Sequence, residues 1–112
     1  MKRGEVWTVA GGPDYAGKPR PAVIVQDDAF EATRSVTVCP ITGHDIDAPT
    51  IRPVVEPSDA NGLRVASRLM VDKITTVSRA KIARRIGRLT ADDLVALNRA
   101  IGVFLGLGST GR

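Results

Sequence analysis

Short β-type runs separated by glycine and proline fill most of this sequence, and they restrict the chain to a mainly β fold. The runs are rich in valine, isoleucine and threonine, which favour strands. Pro53 lies inside one of them and places that run at the edge of a sheet, because proline cannot donate a hydrogen bond to a neighbour. We predict strands over residues 4–10, 21–26, 35–41, 50–56, 65–71, 74–77 and 81–89.

A long helical pattern stands near the end of the chain. Thr90 and Asp93 have the spacing of a capping box, and Gly106 and Gly108 supply a C-terminal stop. Strands followed by one helix indicate a small, strongly curved β-barrel that the helix closes on one side. The predicted apolar stripe of this helix consists of Leu94, Leu97, Ile101 and Phe104.

The chain has 112 residues, which is the length of one domain with room for one modest core. No internal repeat or linker interrupts the sequence. We assign residues 1–108 to a single domain and residues 109–112 to a flexible tail. A core of this size commonly gains stability from dimerisation.

Positive charge is concentrated in one part of the chain. Residues 63–88 contain eight basic residues and one acid, Asp72, so this segment carries a formal charge of +7 while the whole chain carries +4. Such a segment suits a polyanion or an acidic protein partner. A solvated surface of strands and turns is the alternative interpretation.

Several kinds of site are excluded or disfavoured. With Cys39 as its single cysteine the chain can form no internal disulfide, and one Cys with one His cannot build a zinc site. His44 is the single histidine, which excludes a two-histidine ribonuclease, and a metal site formed by His44, Asp45 and Asp47 is a weak alternative. We therefore expect no metal and no cofactor. No signal peptide is predicted, and the apolar runs are too short to cross a bilayer, so we expect a cytoplasmic protein.

Two polar residues stand where predicted strands meet loops. Arg20 lies between Pro19 and Pro21, which stiffen the backbone on both sides of it. A guanidinium held in this way suits a phosphate, because its planar fork donates two hydrogen bonds. Thr42 follows the third predicted strand and precedes Gly43, where a phosphate could approach the backbone. Ordinary turn residues are the alternative at both positions.

Taken together in order and spacing, six stretches of this chain resemble the MazF, PemK and Kid ribonuclease toxins. The resemblance covers about residues 3–107. The matching runs are RGEVW at residues 3–7, RPAVIVQ at 20–26, VCPIT at 38–42, SRLMVDKITTV at 67–77, IGRL at 86–89 and FLGL at 104–107.

The resemblance implies a small SH3-like barrel of the MazF/PemK type, with a C-terminal helix, that works as a homodimer. It also implies cleavage of single-stranded RNA without a metal or cofactor. The expected protein partner is a cognate antitoxin that lays an acidic, partly disordered segment over the toxin. We expect no membrane partner, and DNA only indirectly through the antitoxin complex.

The family's catalytic arginine, which precedes a proline after the first loop, falls on Arg20, and its catalytic threonine or serine falls on Thr42. The expected reaction is attack by the ribose 2′-hydroxyl on the adjacent phosphate, which leaves a 2′,3′-cyclic phosphate and a 5′-hydroxyl. In this hypothesis Arg20 stabilises charge on the pentacoordinate phosphate, and Thr42 hydrogen-bonds a phosphate oxygen.

Residues outside this pair are predicted to contact RNA. The acid of the later strand, which lies near RNA in some members, falls on Asp72. Some members have an arginine two residues before that acid, where this chain has Met70, and whether Arg68 replaces it stays open. We predict Lys18, Arg68 and Lys73 as contacts to the RNA backbone.

Two other functions compatible with the fold are kept as alternatives. Related toxins of the same fold bind DNA gyrase instead of RNA, and in that case Arg20 and Thr42 would be incidental. A catalytically inert SH3-like adaptor that binds an acidic partner is the third possibility. The Arg20-Pro21 and Ile41-Thr42 matches favour the nuclease.

Overall fold

The computed structural model describes residues 1–11, 18–43 and 51–108. The described strands are Glu5–Val9 (β1), Arg20–Ile24 (β2), Ser35–Thr42 (β3), Val54–Val55 (β4), Ser67–Leu69 (β5), Thr75–Ser78 (β6) and Ile82–Arg88 (β7), and the helix is Ala91–Leu105 (α1). The predicted strands and helix are confirmed, although β4 and β5 are much shorter than the runs that indicated them. Residues 109–112 lie outside the described residues, so the domain boundary and the tail stay predictions.

The strands form one curved antiparallel sheet in the order β4-β5-β3-β2-β1-β7, and β6 pairs with β3 outside this path. β3 pairs with β6 over residues 35–38 and with β5 over residues 41–42, so two short strands share this long one. β4 stands at the end of the order, which confirms the edge position that Pro53 predicted. The result is the expected small SH3-like barrel with a helix at its side.

The buried side chains form two clusters, whereas the chain length predicted a single core. Val23 belongs to the cluster beneath α1, where Leu97 and Ala100 are also buried. Ala22 and Ile24 belong to the second cluster, together with Val36 and Val38 of β3. Because successive residues of a strand point to opposite faces, a strand that is buried on both faces has a continuous apolar sequence. This explains the unbroken apolar run in β2.

Helix α1 begins and ends as predicted but extends past the core. The Thr90 hydroxyl accepts a hydrogen bond from the Asp93 backbone N–H at 3.1 Å, and Gly106 adopts the left-handed conformation with φ of 71°. Phe104, however, is 46% exposed, so its place in the buried stripe was wrong. Residues 103–108 are all exposed, whereas Leu97 and Ala100, earlier in the helix, are buried. No helix in the described part of the chain is long and apolar enough to cross a membrane.

A loop over residues 58–63 is organised around the buried side chain of Asn61. The Asn61 Oδ1 accepts hydrogen bonds from the backbone N–H of Ser58 at 3.0 Å and of Leu63 at 2.9 Å. Its Nδ2 donates to the Glu56 carbonyl at 2.8 Å. One amide side chain therefore satisfies three backbone groups and fixes the shape of the loop.

This loop lies directly on β7, and two glycines allow the contact. A Cβ on Gly62 would overlap the Ile86 carbonyl oxygen, and a Cβ on Gly87 would overlap that of Ala60. Gly62 also has a φ of 72°, which favours glycine. The Arg88 N–H donates to the Ala60 carbonyl at 2.8 Å. The loop and β7 therefore touch backbone to backbone.

Two glycines, replaced by alanine one at a time, test the effect of close packing on stability separately from the effect of helix propensity. Gly87→Ala is expected to destabilise the fold by about 1–3 kcal/mol, since the added methyl group must push the loop off β7. Gly102→Ala is expected to stabilise it by about 0.5–1 kcal/mol, because alanine is a better helix former and its Cβ would come no closer than 3.9 Å, at the Leu107 carbonyl oxygen, to any atom outside the backbone of its own helix. Urea unfolding at one protein concentration measures both, and a Gly87→Ala variant as stable as the parent would contradict the packing argument.

Candidate active site

The pairing of β2 with β3 brings Arg20 and Thr42 together. The antiparallel register pairs Ala22 with Pro40 and Ile24 with Val38. The same register, continued by two residues, places Arg20 opposite Thr42. Directly opposed residues project from the same face with Cβ atoms about 5 Å apart. The two side chains selected from the sequence therefore meet at the ends of neighbouring strands.

Arg20 and Thr42 line a groove with a volume of about 1080 Å³. Its other wall contains Arg64, which follows the loop over residues 58–63, and the neighbouring residues Arg84 and Arg85 of β7. Among the described residues the lining has four arginines and no acid. A concave surface lined by one sign of charge concentrates ions of the opposite sign, so the groove favours an anionic ligand.

The four residues that the sequence predicted as RNA contacts lie outside the described lining of this groove. Arg68 is the register partner of Thr42 on β5, and its Nη1 donates to the Arg52 carbonyl at 3.0 Å. Lys18 and Lys73 are exposed. Met70 lines the groove, although some family members have an arginine at that position. The structure thus brings Arg20 and Thr42 together in the groove and places Arg68 beside Thr42 on the neighbouring strand, whereas Lys18, Asp72 and Lys73 are not brought to this pair by the described strand pairing or groove lining.

Asp72, the fourth of these residues, forms an ion pair with Arg52. The Arg52 Nε and Nη2 donate to the two carboxylate oxygens of Asp72 at 2.8 and 2.9 Å. Arg52 is only 6% exposed, and its hydrogen bonds hold the pKa of the Asp72 carboxyl below its usual value. Arg52 was not predicted from the sequence as a site residue. The one sequence feature that could have indicated a partner such as Arg52 is Asp72. It is the single acid in a strongly basic segment, and such an acid needs a partner when it is buried.

Cys39, the single cysteine of the chain, lies outside the described lining of the groove. Burial raises the pKa of the Cys39 thiol to about 12, so this side chain stays protonated and is not a nucleophile at neutral pH. The described residues contain no group of three or more His, Cys, Asp or Glu that could hold a metal ion. His44, Asp45 and Asp47, the weak metal alternative, lie outside the described residues.

The ion pair makes stability depend on both of its members. Arg52→Met is expected to destabilise the fold by about 3 kcal/mol at neutral pH, because it leaves the Asp72 carboxylate partly buried without a partner. Arg52→Met combined with Asp72→Leu should recover most of this loss. Urea unfolding of the parent and both variants checks the expectation, which fails if the single and double variants are equally unstable.

The same pair has a defined pH dependence. The folded-state pKa of Asp72 is lowered, so the stabilisation is complete above the unfolded-state value of about 4 and is lost as pH falls through the folded-state value. The stability difference between the parent and Arg52→Met should therefore narrow below about pH 4. A difference that is constant with pH would contradict the role of the ionised carboxylate.

Comparison with known proteins identifies the family. Residues 2–105 match the family model of the PemK-like, MazF-like toxins of type II toxin–antitoxin systems. The chain is 51% identical over 107 residues to a probable endoribonuclease MazF of Mycolicibacterium smegmatis, covering 96% of this chain and 98% of the relative. It is 30% identical over 118 residues to endoribonuclease MazF9 of Mycobacterium tuberculosis, covering 97% and 99%.

A solved structure agrees with these sequence relatives. The Mycobacterium tuberculosis toxin MazF-mt6 superposes with a TM-score of 0.79 at 28% identity, over 94% of this chain and 99% of the toxin. Fold and sequence thus agree over nearly the whole length. The chain belongs to the PemK-like, MazF-like toxins of type II toxin–antitoxin systems.

Proposed function

We propose that this MazF-type endoribonuclease toxin cleaves single-stranded RNA in the groove lined by Arg20 and Thr42. The observation that carries the proposal is the β2–β3 register, which places an arginine and a hydroxyl on one face of a groove that has no acid among its described lining residues. A phosphodiester is the natural ligand of such a surface. Cleavage of cellular RNA would inhibit translation and growth, and the proposed place of action is the cytoplasm.

The proposed reaction uses the nucleophile that RNA itself provides. The 2′-hydroxyl oxygen attacks the adjacent phosphorus, and the bond to the 5′ oxygen of the next nucleotide breaks. The products are a 2′,3′-cyclic phosphate and a 5′-hydroxyl, and no metal takes part. The proton of the 2′-hydroxyl passes to solvent, and the leaving oxygen gains one.

Arg20 and Thr42 have separate roles in this mechanism. An arginine guanidinium is a poor general base, so Arg20 is not assigned that role. Its main role is to stabilise negative charge on the pentacoordinate phosphate, with proton donation to the leaving oxygen as a second role. The Thr42 hydroxyl donates a hydrogen bond to a nonbridging phosphate oxygen and holds the phosphate beside Arg20.

The remaining predicted contacts are part of this proposal. Lys18, Arg68 and Lys73 would contact the RNA backbone from outside the groove, so their removal should weaken binding without changing which sites are cut. Asp72 is proposed to lie near the bound RNA and to keep its ion pair with Arg52. Met70 faces the groove at the position where some members have an arginine, so the recognised RNA sequence does not follow from the family.

The proposed protein partners are a cognate antitoxin and a second copy of the chain. An acidic, partly disordered antitoxin segment complements the groove, since four arginines line it without an acid among the described residues. The apolar end of α1 supports the homodimer. Val103, Phe104, Leu105 and Leu107 are between 46% and 65% exposed there, and a second copy would cover them. We expect DNA only through the antitoxin complex.

The proposed nuclease is tested with single-stranded RNA of mixed sequence in excess EDTA. The parent protein should cleave it and leave a 2′,3′-cyclic phosphate, whereas Arg20→Ala should lose about a hundredfold or more in rate, as expected when a donor to the reacting oxygen is removed. Thr42→Val should lose less. A substrate with 2′-deoxyribose at the cleaved position should resist cleavage, because the nucleophile is missing.

Arg88→Ala is the matched control, since Arg88 is exposed on β7 and lies outside the described lining of the groove. It should cleave at the parent rate. Equal cleavage by the parent and Arg20→Ala would remove Arg20 from the reaction. Absence of cleavage by the parent on several RNAs would contradict the proposal and favour the gyrase-binding or adaptor alternatives.

The homodimer is tested at the end of α1. Phe104→Glu should shift the molar mass from dimer to monomer in light scattering after size exclusion, because a charge would enter an apolar interface. Phe30→Glu is the control, since Phe30 is 60% exposed on the 3₁₀ turn Asp28–Phe30, far from α1 in sequence. A dimer that survives Phe104→Glu would place the interface elsewhere.

A further inference from the structure

We infer that Arg64 and Arg84 form a second phosphate subsite in the same groove, which binds a backbone phosphate of the RNA next to the one that is cleaved. The inference rests on the proposed function and extends it, because neither residue was selected from the sequence as a site residue. The ligand is a nonbridging phosphate oxygen pair of single-stranded RNA.

A β-bulge directs Arg84 into the groove. The register between β1 and β7 shifts between Trp7 and Val9, since Trp7 pairs with Arg85 and Val9 with Ile82. The Thr8 hydroxyl oxygen accepts a hydrogen bond from the Arg84 N–H at 3.1 Å and so fixes the bulge. Adjacent residues of a regular strand point to opposite faces, but a bulge re-aims its side chains. This explains why Arg84 and Arg85 both line the groove.

The loop over residues 58–63 sets Arg64 on the same wall. Asn61 fixes the shape of the loop, and Gly62 and Gly87 let it touch the β7 backbone, as described above. Leu63 and Arg64 directly follow Gly62, which makes this contact, and both line the groove together with Ile86. The backbone contact between this loop and β7 therefore sets where the backbone of Arg64 lies relative to β7.

The arginines of this wall differ in their partners. The Arg85 Nε binds the Glu5 carboxylate at 3.2 Å, so its charge is compensated within the protein. The guanidinium groups of Arg64 and Arg84 have no hydrogen-bond or ion-pair partner among the described residues. Both line a groove whose described lining lacks acids, so an anion bound in the groove gains favourable electrostatic energy from two guanidinium groups. A guanidinium fork matches the oxygens of a phosphate, and single-stranded RNA, the proposed substrate of this groove, presents a phosphodiester at every nucleotide.

The binding test uses a fluorescent, mixed-sequence single-stranded RNA in which every ribose is 2′-O-methylated, so that it cannot be cut by the proposed reaction. Anisotropy is measured in EDTA across a salt series for the parent, Arg64→Ala, Arg84→Ala and the control Arg88→Ala. Arg64→Ala and Arg84→Ala should each bind about tenfold more weakly. Each should also reduce the slope of log K against log salt by about 0.7, the value for one lost single-strand phosphate contact.

Further readouts separate this subsite from a structural role and from the proposed function. On unmodified RNA, Arg64→Ala and Arg84→Ala should raise KM and leave kcat nearly unchanged, and Arg84→Lys should restore part of the salt slope because it keeps the charge. Thermal unfolding of the variants should match that of Arg88→Ala. Cleavage by the parent, measured in parallel, reports on the proposed function alone.

Three results would overturn the subsite. The first is binding of the methylated RNA by Arg64→Ala and Arg84→Ala with the affinity and salt slope of Arg88→Ala, while the parent still cleaves RNA. The second is weakened binding of a polyglutamate peptide with unchanged RNA binding, which would assign the two arginines to an acidic protein segment. The third is no measurable binding of the RNA by the parent protein.

Discussion

The pairing of β2 with β3 is held from both faces of the sheet, because Val23 packs into the cluster beneath α1 and Ile24 packs into the other cluster. A slip of one residue would move every side chain of the strand to the opposite face, so two apolar clusters specify the register more strongly than one could. Arg20 and Thr42 lie just beyond this fixed region. Their position is therefore a consequence of core packing, and the groove is anchored to the most deeply buried part of the molecule.

Polar interactions hold β5, the strand that pairs with β3 at Thr42. Arg52 binds Asp72 with its side chain and Arg68 with its carbonyl, and Arg68 is the register partner of Thr42. A buried ion pair is seldom a net gain in stability, but it is specific about geometry, because either charge alone is costly in that position. The pair thus connects Asp72 to Arg52, and the Arg52 carbonyl in turn connects to Arg68 beside Thr42.

Local features of the sequence predicted the fold well, and features that depend on distant contacts were missed. β2 begins after Pro19, β3 ends before Gly43 and Thr90 marks the start of α1, since these signals act within a few residues. The exposure of Phe104 could not be predicted, because helical spacing shows a face but not where the opposing sheet ends. Arg52 was missed for a similar reason: its partner Asp72 is brought to it only by the folded chain.

The same distinction applies to the arginines of the groove. Arg20 could be selected from its neighbouring prolines, but Arg84 and Arg85 look alike in the sequence, and an alternating strand would have placed them on opposite faces. The bulge held by Thr8 puts both into the groove, and Glu5 then compensates only Arg85. A count of basic residues therefore overstates the charge available to a ligand. What the ligand meets is decided by which guanidinium groups the protein itself has already paired, and on this wall the described residues leave Arg64 and Arg84 for the anion.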